Sequence, residues 1–495
     1  MISPSSPDLL ATKNARPSLS RSQTLPRMDA PPRRIRKNSI ALEVDEDVLF
    51  KIRRWVHAIA IVDFDIDHGP MLDGAFPPLN LLPAEVENIT FSSFPDSPQF
   101  EQGSQSHSFR IRDSQGAYIN GFVYFTQRRN AALKRGYEQR SVVILTQHEY
   151  PTLFAAMSSV FGPLFAQHDV PMLETACHNI ATWPDPTPGT ILELGFLGSV
   201  LQVEIPQTID HQQLTETSAF REKYNPQRHI LAAASPLFPP VIHLFEAALS
   251  HLWSIWECVV LCEPILVFGP SPSQTSQAIW FLRDLLRPIP VAGDVRPYFT
   301  IHDRDHGSLV NKLPPKAGLL LGVTNPFFER ECVHWPHTLS LGKKVAHKSS
   351  IRTPGPLPGW KTKTHKRYIS KDQAILKQLE HALNGSGSDQ LTASLAMRRH
   401  FCQRTNEMLI PLSRYLNTLI PPPADVRNGK TRLKPFQNSA FFASLKEHGS
   451  PLPFKSSTKR RDFYERWLKT PSFGLWLAQQ EGIVQSVLRK SLDAP

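Results

Sequence analysis

Five consecutive residues, His302-Asp303-Arg304-Asp305-His306, form the densest group of chemically able side chains in the chain. Two imidazoles and two carboxylates suit a divalent cation or phosphoester chemistry. They follow a short apolar run at 298–301, and α/β proteins bind ligands beyond the carboxyl ends of parallel strands. A metal site needs further ligands at fixed spacing, and the sequence offers none. A solvated strand-end turn is therefore preferred to a metal site, and a polar surface for a protein partner is the third reading. Gly269-Pro270-Ser271-Pro272-Ser273 lies between an apolar run and a helical pattern, where phosphate loops sit. A phosphate cradle needs consecutive backbone N–H groups, and Pro270 and Pro272 remove two of them. No GxxxxGK[ST] follows, so these serines read as helix caps. Cys258 and Cys262 are four apart, with His251 about two turns earlier. Their neighbours Val259, Val260 and Leu261 make two buried apolar thiols the better reading. There is no G-x-S-x-G elbow and no H-E-x-x-H. The expectation is a protein with no cofactor, no metal, no small-molecule substrate and no covalent chemistry of its own.

The elements that would hold these groups start with three short apolar runs, 265–268, 298–301 and 319–323, each bounded by Pro, Gly or Asp. Such runs read as buried strands. Between the first two, residues 273–287 put Ala278, Phe281, Leu282, Leu285 and Leu286 on one helical face. Strand, helix, strand implies a parallel crossover, covered on both faces. Upstream, 55–64, 118–126 and 140–146 read as strands, with a turn at 67–70 and a short helix at 83–89. A helix starting at Pro151 follows, and together these make a small antiparallel α+β module. Residues 102–116 read as a loop, 173–189 as a Pro-rich linker, 190–205 as a hairpin and 211–227 as a loop. Residues 244–261 read as one apolar-faced helix. From 371 the chain reads helical: a first helix ends at Gly385, and a longer one is capped by Asp389. Pro411 would kink or end that second helix. The triple proline at 421–423 stops the run, and short helices follow at 441–445, 463–468 and 473–488.

A chain of 495 residues exceeds one core and implies two or three domains. Five scattered cysteines suit reduced thiols in the cytosol better than a disulfide framework. No run of eighteen apolar residues is present, and the first residues lack the apolar core of a secretory signal. The first forty residues are rich in Pro, Ser and Arg and read as disordered, with Ser39 after a basic run as a candidate kinase target. The net charge of +11 is unevenly placed. Residues 1–40 carry +6, while 343–372 and 427–461 carry +8 each, which leaves −11 for everything else. A nucleic-acid protein puts its basic stripe on a folded groove, so no nucleic acid is expected. Basic loops on an acidic body suit an anionic membrane surface, at about 1 kcal/mol per well-placed residue.

The strings P-I-L-V-F-G-P-S-P-S-Q-T-S from Pro264, R-P-Y-F-T-I-H-D from Arg296 and A-G-L-L-L-G-V-T-N-P from Ala317 resemble the centre of a DENN domain. That fold belongs to a family of exchange factors for Rab GTPases. Phe64-Asp65, S-F-P-D-S at 93–97, G-F-V-Y-F at 121–125, L-K-R-G-Y at 133–137 and His334-Trp335-Pro336-His337 resemble subgroup six of that family, in a fungal-type member. The resemblance covers roughly 53–488. It implies a tripartite fold of α/β and α+β parts: a longin-like antiparallel sheet module over 48–170, a linker over 171–189 and a central α/β module over 190–342. A basic Pro-rich loop over 343–370 and a helical module over 371–495 complete it, after a basic tail over 1–47. The function implied is guanine nucleotide exchange on a Rab-family small GTPase, bound in its nucleotide-free or GDP form, in endosomal recycling traffic. The localisation implied is cytoplasmic, with peripheral recruitment to those membranes. The alternative is a non-catalytic scaffold of the same fold that tethers a small GTPase or cytoskeletal partner. In the family the longin-type and central modules together grip the GTPase switch regions. The contact candidates here are Phe94, Pro95 and Asp96 and the turn Asp303, Arg304 and Asp305.

Overall fold

The computed structural model describes residues 45–96, 102–131, 133, 136–344, 355–428 and 431–493. The tail expected over 1–47 thus lies almost wholly outside the described residues, as do Ser39 and Ser97. Helix α1 (Glu46–Arg53) leads into a five-stranded antiparallel sheet. Its strands are β1 (Ala58–Asp65), β2 (Gly69–Phe76), β3 (Gly103–Arg112), β4 (Tyr118–Arg129) and β5 (Tyr137–Thr146), in the order β2-β1-β5-β4-β3. Helix α2 (Pro83–Ser92) falls between β2 and β3. Two of these strands were not legible. The turn expected at 67–70 is followed by β2, and the loop expected at 102–116 is mostly β3. Both are edge strands rich in Gly, Ser and Pro, so neither shows the apolar run that marks a buried strand. Gly121 in β4 lets the Phe109 ring lie flat across the strand, since a Cβ there would sit 2.2 Å from that ring.

Helix α3 (Pro151–His168) buries Leu153, Phe154, Met157, Phe161 and Phe165 against the sheet. The expected linker at 171–189 is largely helix α4 (Val170–Thr182), which buries Leu173, Ala176, Cys177 and Ile180. Its only internal proline stands in the first turn, where no N–H is needed. The remaining prolines come after its end. The hairpin of β6 (Ile191–Phe196) and β7 (Ser199–Glu204) follows, and β8 (His229–Leu231) joins it in parallel. The single helix expected over 244–261 is instead a 3₁₀ stretch, Val241–His251, continued by α5 (Leu252–Val260).

The central sheet has the order β10-β11-β9-β12-β13, built from β9 (Ile265–Phe268), β10 (Val295–Arg296), β11 (Leu320–Val323), β12 (His337–Ser340) and β13 (Gly359–Thr362). The first four are parallel, and β13 pairs antiparallel with β12. Strand β13 lies inside the stretch expected to be a basic loop. The strand expected at 298–301 is displaced to β10, because Pro297 cannot donate and interrupts the ladder. Phe299 N rejoins it at Gly322 O, 2.8 Å away. Helix α6 (Pro272–Leu286) crosses between β9 and β10, while α7 (His306–Leu309) and α8 (Phe327–Glu331) are short.

The remainder is helical: α9 (Gln373–Ala382), α10 (Gly387–Leu419), α11 (Pro423–Arg427), α12 (Asn438–His448), α13 (Ser457–Trp467) and α14 (Pro471–Asp493). Ser386 caps α10, and Asp389 completes a capping box rather than acting as the cap itself. Pro411 does not end α10, which runs on for two more turns with Leu412, Tyr415 and Leu416 buried. The packing energy of that face outweighs a lost hydrogen bond. The whole is a mixed α/β fold of three parts: an antiparallel front, a central mixed sheet and a helical end, as a DENN domain has.

Candidate functional site

Both sequence-predicted contact segments converge on the junction between the front sheet and the central sheet. Phe94 follows α2 and is 8% exposed. Its ring packs edge-on against Phe64 and Phe125, at 5.8 and 5.6 Å. The Tyr298 hydroxyl donates to Phe94 O at 3.2 Å and accepts from Asp96 N at 2.9 Å. Thr324 Oγ1 donates to Asp96 O at 2.9 Å, and Asn325 Nδ2 donates to Asp96 Oδ2 at 2.8 Å. The segment is a latch from the front sheet onto the carboxyl ends of β10 and β11. Phe94 is therefore a structural anchor and not a surface contact, whereas Pro95 and Asp96 keep exposure at the rim.

The acidic turn is organised by Arg296, which the sequence did not single out. Its Nε donates to Asp294 at 2.9 Å, its Nη1 lies 3.6 Å from Asp303, and its Nη2 donates to Asp305. Nη1 also donates to Arg110 O of β3 at 3.2 Å, so the same guanidinium ties the two sheets together. Asp303 is 4% exposed and is corrected from contact residue to internal partner. Burial pushes its carboxyl up to about 6, against the pull of Arg296. The guanidinium is shared, and Asp294 and Asp305 hold it more closely. Burial also opposes the charge on Arg296, but the three carboxylates, Asp294 first, raise it above its ordinary range. A fixed cation already occupies the centre that a metal would need. Arg304 is exposed, Asp305 and His302 are half-buried, and the His302 ring stacks on Phe91 of α2 at 3.8 Å.

Further contacts rivet the seam. Ser108 N donates to Ser276 Oγ at 3.3 Å, and Trp280 Nε1 donates to Ser108 Oγ at 2.8 Å. Glu149 pairs with Arg110 at 2.6 Å and lies 3.9 Å from Arg283 of α6. Burial opposes ionisation of Glu149, yet Arg110, Arg283 and Arg287 hold its carboxyl below the usual range. His107 Nε2 of β3 donates to Ser92 O at 2.9 Å, and the ring meets the Tyr298 ring edge at 5.3 Å. Burial lowers this imidazole to about 4. Where the two sheets and α3 meet, a cleft of about 380 Å³ opens between Phe122, Ser158, Phe238, Gln277 and Trp280.

Of the other sequence candidates, Ser271 caps α6 by accepting from Gln274 N, as expected. Gly269 is required by packing, since a Cβ would meet Thr275 Oγ1 at 2.1 Å. Cys258 and Cys262 are buried, and burial pushes the Cys258 thiol well up. A cluster that sequence spacing missed brings Cys258, Glu263 and His337 within 4.8 Å of one another. Glu263 is already bonded to His337 and to the Arg466 guanidinium. The cluster joins a helix end, a loop and a strand about 75 residues on, which no local motif encodes.

No family model matches the chain. Protein DENND6B of Homo sapiens is 30% identical over 465 residues, which spans 86% of this chain and 79% of that one. The chain belongs to the DENND6 family of DENN-domain proteins. Protein DENND6A of Mus musculus is 30% identical over 466 residues, covering 85% and 76% of the two chains. The DENND6 homolog of Dictyostelium discoideum is 28% identical over 513 residues, covering 86% and 71%. Among the described residues of this DENND6 relative, no helix is long and apolar enough to cross a membrane.

Proposed function

We propose that this DENND6-family chain is a guanine nucleotide exchange factor for a Rab-family small GTPase of endosomal recycling traffic. It acts as a regulator and forms no covalent bond. Exchange needs only that the factor bind the empty GTPase better than the loaded one; linkage then expels the nucleotide. A ~10⁴-fold preference corresponds to about 5.5 kcal/mol, which a broad protein interface supplies. The observation that supports this reading is the latch of Phe94–Asp96 onto Tyr298, Thr324 and Asn325. It fixes two modules as one preformed surface, so little binding energy is lost in ordering them.

The proposed contacts are the rim groups Pro95, Asp96, Arg304 and Asp305, with Phe327, 41% exposed, as an apolar neighbour. Phe94, Asp303 and Arg296 position them from beneath. The protein is proposed to work at the cytoplasmic face of endosomal membranes, held there by its basic segments. Release of a fluorescent GDP analogue across a panel of purified Rab proteins tests the reading. Acceleration for at least one endosomal Rab is expected. Tight binding with an unchanged release rate would make the protein a tether instead.

A further inference from the structure

Two basic stretches that lie about ninety residues apart in the chain meet on one surface. Ser370 N donates to Pro453 O at 2.8 Å, and Lys455 N donates to Tyr368 O at 3.0 Å. Ile369 and Phe454 form an antiparallel bridge between these bonds. This short backbone zipper sets Arg367 and Lys371 beside Lys455. The Lys459 ammonium lies 5.2 Å from the centre of the Tyr368 ring. Lys455 is exposed, and Arg367, Lys371 and Lys459 are half-buried.

Among the described residues none of the four has a carboxylate within ion-pair distance. Arg367 donates instead to Ile369 O at 2.9 Å. Three nearby acids are engaged elsewhere. Asp372 caps α9 and faces Arg404 at 3.8 Å. Glu257 is bonded to His365 and to the backbone of Tyr368 and Ile369. Glu263 is bonded to His337 and Arg466. Partial burial and then repulsion from Arg367 and Lys455 lower the Lys371 ammonium, with Glu380 opposing. Burial, followed by Lys371 and Arg367, lowers His251 likewise. A merely solvated face has no need to concentrate like charge on a rigid zipper.

We propose that Arg367, Lys371, Lys455 and Lys459 form a composite face that docks on an anionic lipid bilayer. This rests on the membrane reading given above and adds its location. The clefts along Val200 and under Phe238 are lined by none of these four side chains. An array of cations on one face suits a plane of headgroups, whose surface potential attracts each basic residue by about fivefold in affinity.

The test is sedimentation of the full chain with phosphatidylcholine vesicles, with and without phosphatidylserine. Binding is expected only with phosphatidylserine and should weaken as salt rises. The pair Lys371→Gln and Lys455→Gln should weaken it about 30-fold. The pair Lys312→Gln and Lys316→Gln, equal in charge and exposed elsewhere, should leave it unchanged. Equal loss from both pairs would overturn the assignment, as would binding to neutral vesicles. Displacement by polyglutamate at equal charge would show a general polyanion site and also overturn it. GDP release in solution, without vesicles, should be the same for the Lys371/Lys455 variant as for the parent. A parent inactive in that assay would refute the exchange reading alone, and the vesicle comparison would still decide this one.

Discussion

Replacing Asp303 by asparagine is expected to stabilise the protein near neutral pH and to do nothing in acid. The carboxyl is buried at the seam and held at about 6, against 3.8 for an ordinary aspartate. A folded-state value above the unfolded one means that the folded chain binds the extra proton. Stability is therefore lost as pH rises from about 4 to about 6, and is not regained above that. At about 1.36 kcal/mol per pH unit the loss amounts to about 3 kcal/mol. Arg296 offsets only part of it, because its guanidinium is committed first to Asp294 at 2.9 Å and to Asp305, with Asp303 at 3.6 Å. An amide of the same shape cannot ionise and keeps an oxygen to accept from Asp305 N, which bonds Asp303 at 2.8 Å. Urea unfolding of parent and variant from pH 4 to pH 7.5 isolates the site as a difference curve. That curve should rise from near zero to as much as about 3 kcal/mol in favour of the Asp303→Asn variant. A flat curve, or a variant that loses stability at pH 7, would show that Arg296 dominates and would refute the reasoning.

The opposite sign is expected at His107, whose folded value of about 4 lies below the ordinary 6.5. It contributes stability above that ordinary value and loses it as pH falls towards 4, so His107→Gln should blunt acid unfolding by up to about 3 kcal/mol in the same urea series. The two groups offset each other in the parent, whose profile between pH 4 and 6 should be flatter than that of either variant. Tyr298→Phe strips the latch of a hydroxyl that serves Phe94 O and Asp96 N, and should cost about 2 kcal/mol in urea unfolding; a change under about 0.5 kcal/mol would mean that this hydroxyl does not hold the seam. Arg304→Glu leaves every contact of the seam described above in place and should slow Rab GDP release about tenfold with an unchanged melting temperature; full activity would remove Arg304 from the contact surface.

Membership of the family and the tripartite α/β and helical plan were readable through the likeness of short strings to that family, and the central elements through local signals. Apolar runs 265–268 and 319–323 are flanked by Pro and Gly, α6 has its serine cap, and the charge is segregated into three stretches. Edge strands β2 and β3 were not readable, since half-exposed strands lack a dense apolar pattern. Helix α4 was hidden by prolines that in fact stand at its start and beyond its end. The 298–301 strand was misplaced by a few residues because a single proline decides which N–H groups can join a ladder.

The candidate site divides along the same line. Sequence alone marked Phe94–Asp96 and Asp303–Asp305 as segments of interest, through residue type and family likeness. It could not tell which of those side chains face outward. Phe94 meets Tyr298 across 204 residues, and Arg296 meets Arg110 O across 186. Ser370 meets Pro453 by the same kind of long closure. Hydrogen bonds and ion pairs act over a few ångströms in space and carry no trace of chain distance. Local sequence could therefore fix which segments are rigid, apolar or charged, while tertiary packing alone settled which carboxylate is buried beside Arg296 and which cations share a surface.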